Sequence, residues 1–355
     1  MSTMAILCTV IRGWYVGFAL VTLGVNRRIL ILMRFRLLAA TLVVLAIAGG
    51  ARAQATFPSE TKNAALRYWA AMAELREPIV DDDATMNLLS ATFAGRAEWD
   101  EKKLGPLLDS NLDAIRTMQR ATKLPECSWG FDYRHEERTP GWFIMRARRL
   151  AQLNAYEGIR EMAHGDSQAA VNTWLAGLKF GQDVSRSGPV IVALVAGAMV
   201  LDCLQPLRDS ARRGKLSEEE RKELSALVKA MPEDGFDWGL AWGVECATGE
   251  QSLEELQTSS NPKALYEKYG FSAPKRGLPP TTVEIRAYEE YMLAAQAALR
   301  EPPGKARARV DNLESKMRRL GEPEQLQATS FRQSNDARVQ VATQREELMQ
   351  ALASK

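Results

Sequence analysis

Residues 142–184 read "WFIMRARRLAQLNAYEGIREMAHGDSQAAVNTWLAGLKFGQDV", and their pattern decides the fold class. Apolar residues recur every three or four positions, the period of an α-helix that buries one face. The pattern breaks once, at His164-Gly165-Asp166. Glycine permits the turn there, and Asp166 suits the N-cap of the segment that follows. The stretch therefore predicts two antiparallel helices, 142–163 and 167–184. Elsewhere in the chain the same period dominates. No window alternates apolar and polar residues for long, and no hairpin turn is flanked by strand-like runs. The chain reads as all-α, an irregular antiparallel helical array of the α-solenoid or helical-repeat kind, with about ten to twelve helices.

Working outward, "VIVALVAGAMVL" at 190–201 is apolar all round. A helix without a polar face belongs inside a core, and this run is too short for a bilayer core of ~30 Å at about 1.5 Å per residue. Ser217 and Glu220 stand at capping-box spacing. Trp238 and Trp242, one turn apart, read as core. The Gly/Pro-rich stretch 271–280 marks a boundary between a main helical domain, 54–270, and C-terminal helices, 281–355, that pack on it or extend from it. Ile285, Tyr288, Met292, Ala295 and Leu299 share one face of the first of these, and two polar helices follow at 305–320 and 323–353. On the N-terminal side, 63–76 places Leu66, Trp69, Met72 and Ala73 together. Asp81-Asp82-Asp83 forms an acidic helix start, and Gly105-Pro106 opens a further helix.

"MRFRLLAATLVVLAIAGGARAQA", residues 33–55, has the layout of a secretory signal. Arg34 and Arg36 precede an apolar run of 13 residues, and Ala51-Arg52-Ala53 ends it, so cleavage is expected after Ala53. Residues 1–32 then admit two readings. Either translation begins at Met33, or residues 1–32 are made and the chain is membrane-anchored through residues 1–53, with Arg27, Arg28, Arg34 and Arg36 on the cytoplasmic side. The expected location is outside the cytoplasm, periplasmic or extracellular.

The six basic residues of 1–53 face no acidic one. Beyond them the chain holds 40 basic and 44 acidic residues, a net charge of −4, which gives no electrostatic case for nucleic acid. Three cysteines remain, Cys127, Cys203 and Cys246. Their number allows at most one internal disulfide, and their spacing fits no metal motif. Buried small apolar side chains describe them better. With two histidines and no Gly-rich phosphate loop, G-x-S-x-G, H-E-x-x-H or Rossmann fingerprint, the sequence assigns no cofactor and no metal.

Within 151–179, Gly158, Gly165, Ala170, Trp174 and Gly177 fall at a spacing of small, turn, small, aromatic, small. In this the segment resembles a tetratricopeptide repeat, a 34-residue pair of antiparallel helices. Asn154 and Glu161 depart from it, standing where a large apolar residue and an aromatic are usual, and no second copy follows at the repeat offset. The resemblance implies that Gly158 and Ala170 let the two backbones approach while Trp174 caps the seam. It also implies that the first helix lines a ligand-binding face through Ala155, Ile159 and Met162. Either another helix of the chain covers these apolar residues, or they form a groove for a peptide or lipid-like partner.

Catalytic candidates concentrate in the loop "CSWGFDYRHEER", 127–138. Cys127 with His135 suggests a nucleophile and its base, and Asp132 with His135 suggests a base and its orienter. The plainer reading is a polar connection pinned by Trp129 and Phe131. Arg146, Arg148 and Arg149 read as a solvated face. The leading expectation is an exported helical protein that binds a protein or peptide at the cell envelope. The alternatives are an exported hydrolase or lyase on a helical scaffold, and a structural protein that self-associates through its C-terminal helices.

Overall fold

The turn at His164-Gly165-Asp166 forms as its residues dictate. Gly165 adopts a φ of +86°, a conformation that favours glycine. The Asp166 carboxylate accepts from Ala169 N at 2.9 Å and starts the next helix. The computed structural model describes residues 61–76, 82–131, 141–268, 281–317 and 322–354, and among these the chain is all-α. Its helices are α1 (Ala64–Glu74), α2 (Asp83–Phe93), α3 (Glu101–Asp109), α4 (Leu112–Ala121), α5 (Gly141–Ala163), α6 (Ser167–Ser185) and α7 (Val190–Arg212). They continue with α8 (Glu218–Ala230), α9 (Trp238–Thr258), α10 (Pro262–Lys268), α11 (Thr282–Leu299), α12 (Pro303–Met317) and α13 (Glu322–Ala353). The only β pairing among the described residues is an isolated bridge from Asn63 to Glu126.

Caps explain most of the starts. Asn63, Asp82 and Asp100 each accept a backbone N–H of the first turn, as residues of these types do at N-caps. Ser217 and Glu220 close the expected capping box, and Ser167 Oγ donates to the same Glu220 carboxylate at 2.6 Å. Two local expectations need correction. Pro106 does not open a helix: α3 starts at Glu101 and runs through Gly105 and Pro106, and α4 is separate. In α1 the buried face is Ala64, Ala65, Tyr68, Ala71 and Met72, while Leu66 is 57% exposed.

Helix α7 is the centre. It packs most extensively on α6 and α13, and also on α5 and α9. Val192, Ala193, Ala196, Met199, Val200, Cys203, Leu204 and Leu207 lie in one continuous core with residues of those helices. It runs 23 residues, beyond the apolar run that defined it, and Pro206 lies within it. By length and composition it is the one described helix able to cross a membrane, and most of it is buried inside the chain. Its burial is incomplete: Ile191 is 54% exposed, and Leu194, Val195, Ala198 and Leu201 are half-buried. Helix α13 brings Phe331, Val341, Leu348, Ala351 and Leu352 into the same core. The α11 face forms as read, with all five of its expected residues buried.

The α5–α6 hairpin is tightly drawn. Trp174 is buried against Gly158, and its Nε1–H donates to Ala155 O at 3.0 Å. A Cβ at Gly158 would stand 2.3 Å from Trp174 Nε1. Asn154, fully buried, donates to Thr173 O at 2.8 Å and accepts from Gln119 Nε2 of α4 at 3.0 Å. Its polarity is thus a tie among three helices. Because the Trp174 ring cannot move without losing its bond to Ala155, Gly158→Ala is expected to destabilise the chain by about 1–3 kcal/mol. Urea denaturation of the variant against the native chain reads this directly.

Candidate functional site

The described part of the 127–138 loop is held down by aromatic rings. Trp129 stacks on Tyr68 at 5.6 Å and meets Phe143 at 4.8 Å, and its Nε1–H donates to Asp183 O at 2.8 Å. Phe131 meets Trp69 and Phe143 edge-on. Beneath them the buried Asp183 carboxylate accepts from Tyr68 Oη at 2.8 Å and pairs with Lys179. Cys127 is half-buried nearby. Burial, then the Asp183 charge, push its thiol up to about 12, which suppresses the thiolate that a nucleophile needs. Asp132 and His135 lie outside the described residues. Cys127, Cys203 and Cys246 are all free thiols, and among the described residues no three His, Cys, Asp or Glu side chains gather as metal ligands would.

Helix α5 carries a different cluster, where it meets α3, α4 and α6. Arg160 binds Glu101 of α3 through Nη2 at 2.6 Å and Nε at 3.2 Å, and reaches Asp109 through Nη1 at 2.8 Å. Trp99 Nε1–H donates to Glu101 at 2.7 Å, and His164 Nε2 stands 3.3 Å from the same carboxylate. Those hydrogen bonds hold the Glu101 carboxyl below its usual range. One turn apart on α5, Glu157 and Glu161 are only part-exposed, and each has a buried Oε2 that accepts no hydrogen bond. The cation nearest the Glu157 oxygen is Arg160 Nη1, at 3.7 Å. Burial raises both carboxyls. For Glu161 it does so to about 7, opposed by the Thr173 hydroxyl and Arg160 and reinforced by Glu157 and Asp166. Such a pair can hold a proton at neutral pH or accept a donor from outside the chain.

The opposite side of the same helix is apolar. Ala155 is fully buried, so the chain itself covers it, while Ile159 and Met162 are half-buried and pack against the core. Farther toward the start of α5, Met145 is 55% exposed. Arg148 lies between, and it is not solvated as expected: it forms a two-pronged ion pair with Asp202 of α7, and Arg146 and Arg149 are half-buried too. The physical reason is the tie itself, which pins α5 to α7 just below the half-buried stripe of α7. Met145 and Ile191 thus stand exposed on two helices that share the core and are tied by this ion pair.

The acidic pair was not singled out from sequence, although a signal existed. Two glutamates at i and i+4 repel on an isolated helix, so Glu157 and Glu161 on one helix point to a tertiary cause. The Glu101–Arg160 link had no such signal, because it joins residues 59 apart.

Glu161 makes stability depend on pH. Its folded value lies above the ordinary 4.5, so between about 4.5 and about 7 the folded chain holds more protons than the unfolded one. Stability is therefore expected to fall as pH rises through that window, and Glu161→Gln to remove that part of the slope. Urea midpoints at several pH values check both. Comparison of the chain with protein-family models, with curated proteins and with solved structures finds no match.

Proposed function

We propose that the protein is exported and works by binding a protein or peptide partner at the cell envelope, through the apolar strip shared by α5 and α7. The observation that carries this reading is the exposed Ile191 on one face of α7 with the half-buried Leu194, Val195, Ala198 and Leu201, on a helix tied by Asp202 to Arg148 of α5, three residues from the exposed Met145. Apolar side chains gathered on a surface favour contact with a second apolar surface. A strip running along one helix suits an amphipathic segment whose anchors recur every three or four residues. Ile159 and Met162 give α5 further half-buried apolar residues. Export rests on the leader at 33–53, and anchoring through residues 1–53 is the alternative for the same segment.

A second reading, an exported hydrolase or lyase, draws on the half-buried Glu161, whose carboxyl sits near neutrality one turn from His164. The self-association reading has less support, since α13 turns its apolar residues inward onto α7.

Two measurements test the proposal. A fluorescein-labelled amphipathic helical peptide is expected to bind the native chain by anisotropy. Ile191→Glu and Met145→Glu should each weaken it about tenfold, roughly 1.4 kcal/mol, with unchanged thermal midpoints. Equal binding by all three chains would remove the strip from the account. N-terminal sequencing of the native protein should give a chain beginning at Gln54 in the envelope fraction. A start at Met1 or Met33 in the cytosol would refute export.

A further inference from the structure

The half-buried row of α7 does not stop at Leu201. Gln205, also half-buried, stands one turn farther along the same face. Tyr156 of α5 lies close by: burial, then the Asp202 charge, push its hydroxyl up to about 12. Helix α2 ends on this continuation. The ring of Phe93, its last residue, meets Tyr156 edge-on at 6.0 Å, and Gln205 Nε2–H donates to Phe93 O at 3.3 Å. The end of α2 thus sits on both helices that carry the strip, one turn beyond its last apolar residue.

What holds α2 there is slight. None of its residues belongs to the continuous core, and the helix on which it packs most is its neighbour α3. The bond from Gln205 is long for an N–H donor. Thr92 is buried, yet its hydroxyl finds no hydrogen-bond partner among the described residues, and an unmet polar group disfavours the closed seat. Helix α3 is anchored by contrast, since Leu108 lies in the core and Arg160 binds Glu101 and Asp109. Just after α2, Gly95 holds a φ of +66°, and its carbonyl accepts from Arg213 at 3.4 Å. A lightly seated helix therefore joins a fixed one at Ala94 and Gly95. Elements with little buried apolar contact open ahead of the whole fold.

We propose that the end of α2 is a self-inhibitory plug on the α5–α7 strip, and that a partner helix displaces it by swinging α2 about Ala94 and Gly95. This rests on the reading of the strip as the docking surface. When α2 swings away, Phe93 leaves Tyr156, and the tyrosine ring and Gln205 extend the docking surface by a turn. The Thr92 hydroxyl reaches water in the same movement, which offsets part of the lost contact. Only chains with α2 open offer the whole surface, so the apparent affinity is lowered by the fraction that is open.

Two variants of the full chain test the plug in opposite directions, with a fluorescein-labelled amphipathic helical peptide of leucine, lysine and glutamate as the probe. Phe93→Ala removes the ring that seats α2 and is expected to bind the peptide about tenfold more tightly than the native chain. Its thermal midpoint should hold, because Phe93 lies outside the core. Thr92→Val replaces the unmet hydroxyl with a methyl group, favours the closed seat and is expected to bind more weakly. Hydrogen exchange read by mass spectrometry supplies a measurement that needs no variant. In the free chain the amides of 83–93 should exchange well before those of 190–212, and saturating peptide should speed them further. Native affinity in both variants overturns the plug and leaves the strip standing. So does exchange in 83–93 that is as slow as in 190–212, or that the peptide leaves unchanged or slows. No binding by any of the three chains removes the strip as a docking surface, and the plug with it.

Discussion

Water has no stable place for a helix that is apolar on every side, and α7 comes close to that condition over Val190–Leu201. Much of the architecture follows from covering it. The hairpin α5–α6, α9 and the returning α13 cover most of it and leave the face of Ile191 open. Small residues set how near these neighbours come: a Cβ at Gly197 would stand 3.1 Å from the Trp238 ring, and one at Gly181 the same distance from Val200. The ion pairs along the α7–α13 seam, from Arg208 and Arg212 to Glu347 at 2.9 and 3.3 Å, are partly open to solvent. Pairs of that kind add little, so apolar burial holds the seam and the charges set its register.

Buried polar groups play the complementary part. Asp183 with Tyr68 and Lys179 joins α6 to α1, and Asn154 with Gln119 and Thr173 joins α5 to α4 and α6. Each has partners that only one alignment of the helices supplies, which discriminates against slipped packings. Glu157 and Glu161 differ, since burial raises both carboxyls without supplying a donor to either Oε2. The chain tolerates that strain where four helices meet, on the helix that also carries the open apolar strip.

What could be read from the residues was whatever depends on near neighbours. Helix period, the Asp166 cap, the Ser217–Glu220 box and the α11 face are all local, and all formed. The seat of Trp174 against Gly158 was accessible because both lie within one hairpin. The errors came where distant segments decide. Leu66 faces solvent because Tyr68, drawn to Asp183 more than a hundred positions later, fixes which side of α1 turns inward. Arg148 is half-buried because of Asp202, and nothing in the run of arginines announces that partner. The acidic pair on α5 is likewise a product of assembly. The loop candidates Asp132 and His135 stand where they did, as residues of suitable chemistry outside the described segments.

The return of α13 to α7 has a consequence for how the molecule is made. The contact from Arg208 to Glu347 joins residues 139 apart, and Arg221 reaches the carbonyl of Ala351 across 130. A ribosome therefore makes α8 to α12 after α7 and before the helix that sheathes this flank of it. In that interval the nascent chain carries an oily seam that awaits α13.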